Sequence, residues 1–287
     1  MTIVITGATG HLGRAAVAHL LERGAAASDV VAAGRDAGRL AELAATGVRT
    51  AVIDYADPSS LDSALEGAET VVLISGSEVG RRVEQHRNVV EAAARAGAKR
   101  IIYTSAPHAT TSELILAPEH KATEELIAAS GLASTILRNN WYNENYAATI
   151  AQVAQTGVYL ASTGAGRVAS ASRDDYAEAI AAVVTSDGHE GAVYELAGDT
   201  AWDGEGFAAA AAEALGRPVV YQSVSPAAHA DALRSAGLDD GTVGFLVGLD
   251  GNIRDGLLDG PSDVLSGLIG RPTTPLVATL RELAPTA

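Results

Sequence analysis

Three glycines near the start of the chain have the spacing most suited to chemistry. Ile3-Val4-Ile5 runs straight into Thr6-Gly7-Ala8-Thr9-Gly10-His11-Leu12-Gly13, and a helical pattern follows. Strand, glycine turn and helix in that order form a cradle for a pyrophosphate. Gly7 permits the tight turn. Gly10 lets the backbone approach a phosphate with no side chain in the way, and Gly13 lets the helix pack closely. The helix N-terminus offers N–H groups and a positive dipole end. Thr9, His11 and Leu12 complete the turn as candidate dinucleotide contacts.

The next candidates concern which dinucleotide is bound. An acid at the end of the second strand would bind the ribose 2′-OH of NAD, whereas an arginine there accommodates the 2′-phosphate of NADP. The segment reads Ala33-Gly34-Arg35-Asp36. Arg35 offers a guanidinium fork suited to phosphate, and Asp36 reads better as a helix N-cap. NADP(H) is therefore favoured, with NAD(H) kept as the second cofactor. Asp54 closes the third strand, either beside the adenine or as a turn-forming aspartate. Ser75, Gly76 and Ser77 end the fourth strand and are small enough for a ribose or pyrophosphate to approach.

These residues must be held by alternating strands and helices. Strands are expected at Val30–Ala33, Val48–Ile53, Thr70–Ile74, Arg100–Thr104 and Ser134–Leu137, with another at Val193–Leu196. Helices are expected after Asp36, from Asp57-Pro58 to Gly67, from Val79 to Ala96, and from Pro118 to about Gly131. The pattern implies a parallel sheet covered on both faces. Beyond Arg138 it loosens. Helices and Gly-rich turns mix over 139–190, and helices with one short strand at Val219–Gln222 follow. The organisation expected is an α/β, Rossmann-type doubly wound core over 1–140, completed by the strand at 193–196. A smaller C-terminal α/β substrate lobe takes most of 141–287.

Composition removes several classes. A net charge of −15 argues against nucleic acid and anionic membranes as partners. No apolar run is long enough to span a bilayer, and no signal-peptide pattern is present, so a cytoplasmic location is expected. With no cysteine there is no disulfide, thiolate metal site or cysteine nucleophile. The seven histidines show no metal-ligand spacing. A homodimer is left open.

Further stretches point to a family. They are Ser75-Gly76-Ser77-Glu78-Val79-Gly80, Gln85-His86-Arg87-Asn88-Val89, Tyr103-Thr104-Ser105, Glu119-His120, Arg138-Asn139-Asn140-Trp141-Tyr142-Asn143-Glu144-Asn145-Tyr146 and Tyr194-Glu195-Leu196-Ala197-Gly198-Asp199. With the glycine turn, they resemble the NmrA-like atypical short-chain dehydrogenases, a family of NADPH:quinone oxidoreductases and triphenylmethane dye reductases. The resemblance runs nearly end to end, to Leu268-Ile269-Gly270-Arg271-Pro272. It implies an NADPH cofactor and a quinone-like acceptor.

The Tyr-x-x-x-Lys pair of ordinary short-chain dehydrogenases is missing. Eight tyrosines are present and none has lysine four residues on; the lysines are Lys99 and Lys121. Hydride delivery to a ketone needs a placed acid. Delivery to a quinone creates a phenolate-like anion with a basicity near that of tyrosine, about pH 10, which water can protonate. The absence therefore fits a quinone acceptor. It fits equally an NmrA-like redox sensor that binds NADP without turnover, or a reductase of a dye or enone. The candidate catalytic residues are His120, Asn140 and Tyr103. His120 is read either as a proton donor or as a surface histidine. Thr104 and Ser105 should lie near the nicotinamide, and Lys121 is read as a ribose ligand or a solvated lysine. Trp141 and Tyr142 would wall a flat acceptor or pack in the core, and the loop from Pro107 to Ala117 would either cover it or be tacked down by its apolar patch Leu114-Ile115-Leu116.

Overall fold

The computed structural model describes residues 1–285, and the chain forms two units. The first takes residues 1–110, 116–139 and 173–196; the second takes 111–115, 140–172 and the chain from 197 onward.

In the first unit short apolar strands alternate with capped helices. β1 (Ile3–Ile5) is wholly buried and leads through the glycine turn into α1 (His11–Glu22). β2 (Val30–Gly34) is likewise buried throughout. α2 (Ala37–Ala44) follows, with Asp36 accepting the Arg39 N–H at 3.1 Å as its N-cap. After β3 (Arg49–Val52), α3 (Pro58–Leu65) starts on an Asp57 cap with proline in its first turn. β4 (Thr70–Leu73), α4 (Arg82–Arg95), β5 (Arg100–Ser105), α5 (Ala117–Ala129) and β6 (Ala133–Asn139) continue the alternation. The chain then gives α6 (Ala147–Thr156) and β7 (Val158–Ala161) to the second unit. It returns with α7 (Arg173–Thr185) and β8 (Val193–Leu196).

The seven strands lie in the order β3-β2-β1-β4-β5-β6-β8, every neighbouring pair parallel. α1 packs on α7, while α3, α4 and α5 pack in series, so the architecture is the expected Rossmann-type α/β. The order reverses between β1 and β4. Ligands of open parallel sheets bind beyond the carboxyl ends at such a point, and the glycine turn leaves β1 there.

The second unit carries a separate parallel pair, β7 with β9 (Val220–Ser223). Around it come α8 (Gly204–Leu215), α9 (Pro226–Ser235), α10 (Asp240–Arg254), α11 (Val264–Ile269) and α12 (Leu276–Leu283). Its core joins Tyr146, Ile150, Tyr159, Phe207 and Leu280. Among the described residues no helix is long and apolar enough to cross a membrane.

Two expectations need correction. The helix expected from Val79 begins at Arg82, because Gly80 adopts φ +88° and Val79 stands exposed in the preceding turn. The strand β7 was not expected. Its four residues follow an alanine-rich helix with only Gly157 (φ +72°) between them, so the local pattern gives no warning.

Candidate active site

The turn after β1 fits a pyrophosphate. Gly7 has φ +64°, a conformation that side chains resist. A Cβ on Gly13 would stand 2.4 Å from the Gly7 carbonyl oxygen and 2.7 Å from the Ala8 Cα. Gly13 therefore packs closely, as expected, but against the turn itself. The Ala8 N–H donates to the Ala33 carbonyl at 2.9 Å, tying the turn to β2. α1 opens at Gly10 with no side-chain cap, so its positive end is left for an anion. His11 is exposed, whereas Leu12 turns its side chain into the core. Of the two, Leu12 has only its backbone to offer a ligand. A Cβ on Gly34 would meet the Thr9 side chain at 2.6 Å, so Thr9 lies over the end of β2.

The loop from β4 to α4 is held by buried polar side chains. The Gly76 N–H donates to His86 Nε2 at 2.9 Å, and the Gly76 carbonyl accepts from Arg82 Nε at 2.8 Å. His86 Nδ1 meets Thr123 Oγ1 at 3.0 Å, and that hydroxyl donates to the Glu119 carbonyl. His86 thus accepts at Nε2 and carries its proton on Nδ1. Burial first, then the charges of His120 and Arg82, depress its pKa to about 3. Arg82 also pairs with Glu119 at 2.7 Å, and Glu119 accepts the Gly80 N–H at 2.8 Å. The Ser75 N–H donates to Thr104 Oγ1 at 2.9 Å. Gly76 therefore has no N–H left for a nucleotide, and Ser77 is the exposed member of this group. Tyr55 joins the turn to β4: its hydroxyl meets Thr6 Oγ1 at 2.5 Å and donates to the Ile74 carbonyl at 2.9 Å.

Arg35 stands exposed just past β2, and its Nη1 donates to Glu78 at 2.7 Å. Asp36 serves as the α2 cap. Asp54 accepts the Ala56 N–H at 2.9 Å, the turn-forming arrangement of the two foreseen. Lys121 is exposed.

At the far end of β5 the structure brings Tyr103 and His120 together, the hydroxyl 2.7 Å from Nδ1. Both are buried, Tyr103 completely. His120 is therefore not a surface histidine. Burial first, then the Arg82 charge, lowers its pKa to about 3, and burial holds the Tyr103 hydroxyl far above its ordinary range. The pair is neutral at pH 7.

Ser105 donates to the buried carboxylate of Glu124 at 2.5 Å. Arg138, opposite Ser105 in the sheet register, grips Glu124 through Nε at 3.0 Å and Nη2 at 2.7 Å. Its Nη1 donates to Glu195 at 2.8 Å, and Glu195 accepts the His108 N–H at 3.0 Å. His108 has φ +47°, the one non-glycine residue at positive φ among those described. The network thus runs from the β5 end to a strained turn.

Asn140 belongs to the second unit. Its Oδ1 accepts the Trp141 N–H at 2.7 Å and its Nδ2 donates to the Leu258 carbonyl at 3.3 Å, so its amide is engaged at both ends. Trp141 packs against the core of that unit, and Tyr142 is half-buried. In the loop of residues 107–117, Leu114 is buried and the Ile115 N–H donates to Asn252 at 2.9 Å.

His86, Glu124 and the pairing of Arg138 are not apparent from sequence motifs. One signal was present. Arg82, Gln85 and His86 share the buried stripe of α4 with Val89, as His120, Thr123 and Glu124 share that of α5 with Ile127. Polar side chains on an apolar stripe must find buried partners.

The NAD(P)H-binding family profile matches residues 7–187. Quinone oxidoreductase 2 of Escherichia coli is 48% identical over 98% of each chain. The crystal structure of an NADPH-dependent quinone oxidoreductase from Escherichia coli with NADPH superposes with TM-score 0.93 at 47% identity, covering 98% of this chain and 99% of that one. Triphenylmethane reductase of Citrobacter sp. with NADP(H) gives TM-score 0.93 at 34% identity, over 98% of this chain and 100% of that one.

Proposed function

Because the chain belongs to the NAD(P)H-binding family, we propose that it is a reductase passing hydride from NADPH to a quinone or a similarly electrophilic planar acceptor. The observation that carries this reading is the glycine turn at the β1/β4 reversal, which opens an uncapped helix. The name of the 48% identical relative supports the acceptor class. When bound, the nicotinamide supplies the hydride.

The protein's own part is to bind, orient and exclude. The backbone from Gly7 to Gly13, with the N-terminus of α1, holds the diphosphate. Arg35 takes the 2′-phosphate, and Thr9, Ser75 and Ser77 line its approach. Thr104, Ser105 and Lys121 serve the nicotinamide end, and Tyr142 walls the acceptor. Trp141 and Asn140 are held within the second unit, Trp141 on its core and Asn140 by the Leu258 carbonyl. No strong acid is required, because the reduced acceptor is a weak base that water can protonate. His120 acts as a neutral imidazole. With the Tyr103 hydroxyl donating to Nδ1, its proton sits on Nε2 and steadies a developing anion by hydrogen bonding. Tyr103 is a positioning residue, since it is wholly buried.

Two results are expected. Arg35→Ala should weaken NADPH roughly tenfold or more, the loss of a charge-assisted bond, with NADH nearly unchanged. Calorimetric titration of both nucleotides checks this, and equal losses would remove Arg35 from the phosphate site. His120→Ala should lower kcat while leaving NADPH affinity intact. In the parent protein kcat should show no inflection near pH 6.5, the ordinary imidazole value, because His120 is held near 3. A pH profile whose alkaline limb, with activity falling as pH rises through 6.5, vanishes in His120→Ala would make it a true proton donor. The function itself is tested by steady-state oxidation of NADPH with and without 1,4-benzoquinone. Quinone-dependent oxidation is expected, and none with any quinone would defeat the proposal.

A further inference from the structure

Arg35 does not wait for its phosphate alone. Its Nη1 donates to Glu78 Oε1 at 2.7 Å, joining the end of β2 to the loop that follows β4. The other carboxylate oxygen of Glu78 accepts from Gln85 Nε2 at 3.0 Å and lies 3.5 Å from Arg81. Gln85 is buried on α4, so the carboxylate is anchored from the protein side. Hydrogen bonds from Arg35 and then from Gln85 hold Glu78 below the usual carboxylate range, and it is ionised at neutral pH.

We propose that Glu78 is a selectivity residue of the nucleotide site, an internal anion that competes with the 2′-phosphate of NADPH for Arg35 and accepts the 2′-hydroxyl of NADH. The inference rests on the NADPH reading above and concerns its specificity. A phosphate monoester carries close to two negative charges at pH 7. Seated on Arg35, it would stand beside a carboxylate that its anchors keep nearby. Like charges a few ångströms apart repel even in water, and the repulsion falls with salt. A ribose hydroxyl meets the opposite situation, since an ionised carboxylate is a strong acceptor for an O–H donor. Arg35 and Glu78 therefore pull in opposite directions, and the preference between NADPH and NADH is set by their difference. Arg81 and Gln85 give Glu78 somewhere to remain once Arg35 is taken, so the carboxylate is displaced by a small shift.

The test is the affinity of wild-type, Glu78→Gln and Glu78→Ala proteins for NADPH and NADH, by calorimetric titration at low and high salt without any acceptor. Glu78→Gln keeps the shape and an acceptor oxygen but removes the charge. NADPH is expected to bind about three- to tenfold more tightly at low salt, less so at high salt, with NADH unchanged or weaker. Glu78→Ala should move the NADPH-to-NADH ratio in the same direction. Weaker NADPH binding in Glu78→Gln, or an equal change for both nucleotides, overturns the inference and makes Glu78 a strut that orients Arg35. Failure of the wild-type protein to bind NADPH overturns the reading beneath it, and this inference falls with it.

Discussion

Arg138→Ala is expected to destabilise the first unit by about 3–5 kcal/mol, the loss typical when one partner of a buried ion pair is removed. The arginine and Glu124 side chains are only 12% and 9% exposed, and the guanidinium meets the carboxylate through two nitrogens. Without it, Glu124 remains in a dry site with only the Ser105 hydroxyl as partner. Glu195 also loses its Arg138 bond, and with it part of what holds the strained His108 turn. Thermal unfolding should show a fall of roughly 10 °C. The double variant Arg138→Met with Glu124→Leu separates charge from packing. It should recover much of the loss, because an apolar pair of similar volume leaves no uncompensated charge. A loss below about 1 kcal/mol in Arg138→Ala would mean that the pair behaves like a solvated surface bridge.

Gly13→Ala is expected to weaken NADPH binding by roughly a hundredfold, about 2.7 kcal/mol. The added methyl would meet the Gly7 carbonyl oxygen at 2.4 Å and the Ala8 Cα at 2.7 Å. Both are backbone atoms of the turn, so relief requires α1 or the turn to move, and overpacking of this kind costs about 1–3 kcal/mol. The moved backbone is the part proposed to hold the diphosphate. Gly244→Ala is the control. That glycine lies inside α10 with nothing within 4 Å of the added atom, so the change should leave affinity alone and raise stability by a few tenths to 1 kcal/mol. Titration of NADPH into both variants decides the matter. Undiminished affinity in Gly13→Ala would remove the turn from the nucleotide site.

Much of this arrangement is legible in the sequence wherever the chemistry is local. The glycine turn can be read because its function resides in backbone conformation, which Gly7 and Gly13 report directly. The Asp36 and Asp57 caps can be read because each acts within three residues of itself. The Glu124–Arg138 pair cannot, because it forms only when β6 takes its place beside β5 with Arg138 opposite Ser105. The same holds for His86, whose partners are Gly76 and Thr123. Asn140 shows what the sequence does not give: its residue type suits a ligand, but its bonds to Trp141 and Leu258 appear only in the fold. β7 was missed because four residues with alternating burial carry little signal without their partner β9.

The most direct test of the whole account is an anaerobic single turnover. The protein is loaded with NADPH, mixed with 1,4-benzoquinone, and the reduced nicotinamide absorbance is followed against a blank without acceptor and a parallel run with NADH. The account predicts loss of absorbance only with the quinone, faster for NADPH than for NADH. Normal NADPH binding with no loss of absorbance for any quinone would contradict it.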